Sequence, residues 1–209
     1  MVETAILSNS AWTALKALRR TRPAVERCEL CALELASRHP HLFELETRRI
    51  ACACEACALL FEAEGSPRYR RVPRDVFYIP DFVIEDSQWE ALSLPINLAF
   101  LFFNSANQRV TAMYPSPAGA TESLLSLDAW QQIAGRNPQL ERMQPDVEAF
   151  LVNRVSVPHE YYIAPIDRCF ELTGVVRKQW RGFSGSEEVW KSVEDFFSSL
   201  REEAHAIHA

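Results

Sequence analysis

Five of the six cysteines fall within thirty residues, as Cys28-x2-Cys31 and Cys52-x-Cys54-x2-Cys57, with twenty residues between the two groups. The sixth, Cys169, stands alone. Disulfide frameworks spread paired cysteines through small secreted chains, whereas clustered CxxC pairs read as metal ligands. Two such pairs supply four thiolates, enough to close a tetrahedron around Zn²⁺. Cys28, Cys31, Cys54 and Cys57 are the expected ligands, because the second x2 pair repeats the spacing of the first. Cys52 is then an outer or reactive thiol, or displaces Cys54. His39 and His41 are alternative ligands, or polar residues flanking Pro40. Four protein thiolates leave no place for substrate, so zinc there is structural and its binding energy is folding energy for a small module. Iron in the same four thiolates is the alternative, and would carry one electron.

The surrounding residues indicate how the ligands are held. His41–Glu46 and Arg48–Cys52 alternate around Thr47, the pattern of a hairpin, and Glu55–Glu62 (EACALLFE) reads as a helix that begins inside the second pair. Knuckle, hairpin and a ligand pair at a helix start is the order of a treble-clef zinc module, and a helix N-terminus eases thiol ionisation. Ala32 and Ala58 stand after Cys31 and Cys57, where a knuckle usually has glycine to relieve a left-handed turn. That departure weakens a rubredoxin-like reading.

The 209 residues exceed one small module. A module over residues 1–66, with a short helix at Ala11–Arg20, is expected to precede an α+β domain over 67–209, the boundary falling at the Gly65–Pro73 breakers. Ile96–Phe103 is apolar on both faces, as a strand covered on two sides should be, and leads through Asn104–Asn107 into an alternating strand at Val110–Tyr114. The loop Pro115–Gly119 points towards a third strand at Leu124 and Leu125. Helices are expected at Ser87–Leu92, Leu127–Ala134 and Pro145–Val155. A strand follows at Tyr161–Ala164, then helices at Ile166–Arg181 and across Val189–Leu200, the last capped by Ser184 or Ser186. The domain is therefore a small antiparallel sheet packed with about four helices. Cys169 lies in an apolar stripe and reads as core.

Apolar residues make up 48% of the chain and charged residues 24%, which excludes wholesale disorder. Net charge is −6 and argues against bulk nucleic-acid or anionic-membrane binding. The start has no uninterrupted apolar leader and no stretch is long enough to span a bilayer, so a cytoplasmic chain is expected. Arg68, Arg70, Arg71 and Arg74 make a basic patch that, with Arg48 and Arg49, carries a nucleic-acid alternative; a solvated, paired face is the plainer reading. No paired carboxylates, triad or dinucleotide fingerprint is found, so no enzymatic activity is expected.

The runs CELCALEL, HPHLFELETRRIACACEACALLFE, RYRRVP, YPSPAGATESLL, PDVEAFLVNR and WRGFSGSEEVW resemble a bacterial family of unknown function whose members are typically encoded beside actinobacterial-type, high-affinity [NiFe] hydrogenases. Members typically show CELCG where this chain has Ala32. The resemblance implies an accessory role in assembly, maturation or electron transfer. The expected function is a non-enzymatic, zinc-stabilised accessory protein that binds a protein partner, a hydrogenase subunit or maturation factor. A rubredoxin-like electron carrier and a treble-clef nucleic-acid binder are the alternatives.

Overall fold

A computed structural model of the chain describes residues 25–62, 68–123, 126–180 and 187–208. The expected helix at Ala11–Arg20, Leu124 and Leu125, and the Ser184 and Ser186 caps lie outside the described residues.

The N-terminal part is a three-stranded antiparallel sheet, in the order β2-β1-β3, of β1 (His41–Glu44), β2 (Arg49–Cys52) and β3 (Tyr69–Arg71), with helix α1 (Glu55–Glu62) after β2. The expected hairpin and helix are both present. Arg48 closes the turn with φ 56° and donates its N–H to the Glu44 carbonyl at 2.8 Å. The third strand comes from beyond residue 67.

The larger part is a seven-stranded sheet in the order β10-β4-β9-β8-β5-β6-β7. Its strands are β4 (Phe77–Tyr78), β5 (Leu98–Asn104), β6 (Arg109–Ser116), β7 (Gly119–Ser123), β8 (Glu148–Asn153), β9 (Glu160–Pro165) and β10 (His205–Ala206). Pairing is antiparallel except between β10 and β4. The α+β class stands, but the sheet is larger than the small one expected. Five α-helices occur among the described residues: α1, α2 (Asp86–Ala91), α3 (Leu127–Ala134), α4 (Ile166–Gln179) and α5 (Glu187–Glu203).

Side-chain alternation along the central strands builds two cores, one on each face. Leu98, Phe100 and Phe102 of β5, Leu151 of β8 and Tyr162 of β9 pack beneath α4 and α5, which contribute Cys169, Leu172, Val193 and Phe197. Ala99, Leu101, Phe150, Val152 and Ile163 face the other way, under Trp89 of α2 and Trp130 and Ile133 of α3. Cys169 is fully buried, as its stripe suggested.

Two expectations in this part are corrected. The stretch Pro145–Val155 is not a helix. Its Ala-Phe-Leu-Val run is β8, a central strand in which all six residues are buried between β5 and β9. Pro145 and Asp146 belong to the turn before it, where Asp146 takes φ 69° and its carboxylate accepts the Ser105 N–H at 2.8 Å. A run that is apolar on both faces is what a strand covered on both sides requires. The loop expected at Pro115–Gly119 is shorter than that: Pro115 and Ser116 extend β6, and Ser116 pairs with Gly119 across a tight hairpin, with Gly119 at φ 116°.

Candidate metal centre

The first knuckle is a tight turn. Arg27 bridges to Glu34, Ala32 donates its N–H to the Cys28 carbonyl at 2.8 Å, and Cys28 donates to Leu33 at 2.8 Å. Ala32 has φ 62°, so the turn takes the left-handed conformation that glycine usually supplies and alanine bears the steric cost. Ala58 does not repeat this departure: it lies within α1, where alanine is favoured.

The second knuckle is a helix start. Cys54 stands immediately before α1 in the cap position, and its Sγ accepts the backbone N–H of Cys57 at 3.4 Å, as a serine or aspartate oxygen does elsewhere. Glu29 ties the two knuckles together: its N–H donates to the Cys52 carbonyl at 2.9 Å and its side chain accepts the Cys52 N–H at 2.9 Å.

This framework brings Cys28, Cys31, Cys54 and Cys57 together, with all four sulfurs within 4.8 Å of one another. Cys31 and Cys54 are 3.7 Å apart, Sγ to Sγ. A tetrahedral ion with metal–sulfur bonds of about 2.3 Å has edges of about 3.8 Å, so the group fits a metal ion. Cys28, Cys54 and Cys57 are buried, and Cys31 is exposed.

The thiols of Cys28, Cys31 and Cys57 titrate against one another. Burial opposes ionisation of Cys28, but the backbone N–H groups of Cys54, Leu30 and Cys31 outweigh it and lower that thiol to about 6. Burial pushes Cys57 up to about 12, with the neighbouring Cys31, Cys54 and Cys28 sulfurs adding to the shift. One sulfur therefore ionises readily while a further negative charge is resisted, which is the electrostatic gap a divalent cation closes.

Cys52, His39 and His41 do not join this group. They form a second one, again with ligand atoms within 4.8 Å of one another. Cys52 lies opposite His41 in the β1–β2 register. Both backbone groups of Cys52 are taken by Glu29, while the flanking Ala53 N–H reaches the Pro40 carbonyl at 2.9 Å. That is the non-hydrogen-bonded kind of cross-strand pair, in which side chains approach most closely. The His41 Nδ1 meets the Asp167 carboxylate at 2.6 Å. Asp167, in the first turn of α4, escapes sequence reasoning: it stands 126 residues from His41 in a helix with an ordinary acidic first turn, and only the tertiary fold joins them. His39, His41 and Asp167 line a polar cleft of about 810 Å³, together with Arg38, Arg74 and His205.

The arginines of the basic patch are paired. Arg68 meets Glu44 at 2.8 Å, Arg70 meets Asp146 at 3.4 Å, and Arg71 meets Glu55 at 2.8 Å. Arg74 reaches Glu55 at 3.6 Å, Arg48 reaches Glu122 at 3.4 Å and Arg49 reaches Glu29 at 3.6 Å. Among the described residues no helix is long and apolar enough to cross a membrane.

Residues 27–204 match the model of a protein family described as a family of unknown function, DUF5947. No curated protein and no solved structure matches the chain.

Proposed function

The chain belongs to this DUF5947 family of unknown function, and we propose that it is a zinc-stabilised accessory protein that acts by binding another protein rather than by catalysis. Zinc in the four-cysteine group would be held by Cys28, Cys31, Cys54 and Cys57 and would leave no coordination place for a substrate. Its work is to fold the small sheet against the main one, through Phe43 and Val72 in the core beneath α4 and α5.

The observation that carries protein binding is on α1. Leu59 and Leu60 are 64% and 69% exposed on the helix that the metal-binding pair starts. Adjacent exposed leucines on a short, metal-anchored helix are the composition of a docking surface rather than of a solvated face. The partner we propose is a [NiFe] hydrogenase subunit or maturation factor, from the genomic setting that the sequence resemblance implies. A rubredoxin-like carrier uses the same four sulfurs and differs only in the ion. Nucleic-acid binding is disfavoured, because the arginines it would use are each beside a carboxylate.

The experiment is affinity co-purification of the full chain with hydrogenase subunits and maturation factors, beside Leu59→Glu and Leu60→Glu variants of unchanged circular dichroism. A stable complex lost in both variants is expected. Absence of a complex with every such component rejects the reading. Iron, with a thiolate charge-transfer band in the purified protein, transfers it to the electron carrier.

A further inference from the structure

We propose that His39, His41 and Cys52 form a second metal site, an open one, that binds a borderline divalent transition ion, zinc foremost, at the edge of the polar cleft. This inference stands independently of the partner reading.

The first argument is the state of the two imidazoles. His41 Nδ1 faces the Asp167 carboxylate at 2.6 Å, and His39 Nδ1 faces the Ala36 carbonyl at 2.9 Å. Carboxylate and carbonyl oxygens only accept, so both rings carry a proton on Nδ1. In that tautomer the lone pair of the imidazole lies on Nε2. Metal-binding histidines are held in this way, with the second nitrogen donating to a carboxylate or a backbone carbonyl.

The second argument is a polar atom without a partner. The His39 side chain is only 7% exposed, and its Nε2 is buried with no hydrogen-bond partner. Burying an unpaired acceptor costs about 1–3 kcal/mol. The His39 and His41 rings meet edge to face at 5.0 Å between centroids, and Cys52 comes from the adjoining strand. A dication at the focus satisfies the orphaned nitrogen and draws the three donors in from their spacing of up to 4.8 Å.

The third argument is the donor set. Two imidazoles and one thiolate suit zinc, and three protein ligands leave the fourth place for water, the pattern of a reactive site rather than a structural one. Glu29 stands beside Cys52, its carboxylate accepting the Cys52 N–H at 2.9 Å. On binding, Cys52 releases its proton to solvent and its sulfur takes the metal. The same acidic surroundings favour a cation. They disfavour the rival use of these residues, a Cys52 nucleophile activated by His41 and Asp167, which also gives His39 no role.

The test is metal counting on the full chain. Protein with zinc in its four-cysteine group is titrated with Co²⁺ and, separately, with Zn²⁺, with elemental analysis and visible spectra. Wild type is expected to rise from one ion to two per chain, the second Co²⁺ giving tetrahedral d–d bands with a thiolate charge-transfer band. Cys52→Ser and His39→Gln should each return the count to one while keeping the first ion, which also shows that they fold. In wild type, added Zn²⁺ should protect Cys52 from alkylation, read on its peptide by mass spectrometry. A wild-type count that stays at one overturns the proposal, as does a second ion that survives both variants. Cys52 alkylation unaffected by zinc and slowed by His41→Gln overturns it in favour of the nucleophile.

Discussion

His41, at the start of a strand in the small sheet, and Asp167, in the first turn of a helix of the large domain, meet at 2.6 Å. This hydrogen bond joins the cysteine-rich module to the α4 N-terminus across the wall of the cleft. It fixes the His41 ring, and through it the second donor group. Replacing Asp167 by asparagine keeps the shape and removes the charge. Losing an outer carboxylate partner usually weakens metal binding about 10–100-fold. Competition titration should show that loss for the second ion, with the four-cysteine ion unchanged. A second-ion affinity in D167N equal to that of wild type would remove Asp167 from the site.

The four-cysteine ion should govern the folding of its own module. Structural zinc in comparable modules contributes about 10–16 kcal/mol. Chelation, or Cys57→Ser, should raise hydrogen exchange across β1, β2 and α1, while the amides of β5 and β8 stay protected. Exchange in β1 and β2 that ignores chelation would show that the module stands without metal.

Ala32 holds φ 62°, so Ala32→Gly should stabilise the first knuckle. Relief of the left-handed penalty is worth about 1 kcal/mol. Denaturation of the zinc-loaded protein should show a rise of that order, or tighter zinc binding. A destabilised A32G variant would mean that the knuckle is not strained.

Phe43 couples the two parts. It lies on β1 yet is 2% exposed, within the core under α4 and α5. Phe43→Ala should cost about 3–5 kcal/mol by chemical denaturation. A loss below about 1 kcal/mol would mean that the module is not packed on the sheet.

Glu44 supplies a pH dependence. The Thr47 hydroxyl and the Arg68 guanidinium hold its carboxyl below the ordinary carboxylate value, while burial acts the other way. A lowered folded-state value stabilises the protein above the unfolded-state value, and that contribution is lost as pH falls through the folded one. Glu148 has the opposite sign: burial raises it, so its contribution fades as pH rises through its folded value. Glu44→Gln should therefore flatten the acid limb of a stability–pH curve. An unchanged limb in E44Q would assign the acid sensitivity to other carboxylates.

The sequence by itself determined whatever depends on local spacing. The CxxC pairs, the hairpin around Thr47 and the helix Glu55–Glu62 are short-range patterns, so the four-cysteine group was legible down to its residues. The helices at Leu127–Ala134 and Ile166–Gln179 follow from a 3.6-residue apolar stripe in the same way. Local spacing cannot say how many faces of a segment are covered. Pro145–Val155 carries the signals of a helix start, yet its buried run serves as a strand because β5 and β9 flank it and both core faces need its side chains. Nor does sequence place His41 against Asp167, or show that His39 and Cys52 converge beside them. That convergence arises from the cross-strand register of β1 and β2 and from the packing of the hairpin on α4, contacts between residues far apart in the chain that only the tertiary structure decides.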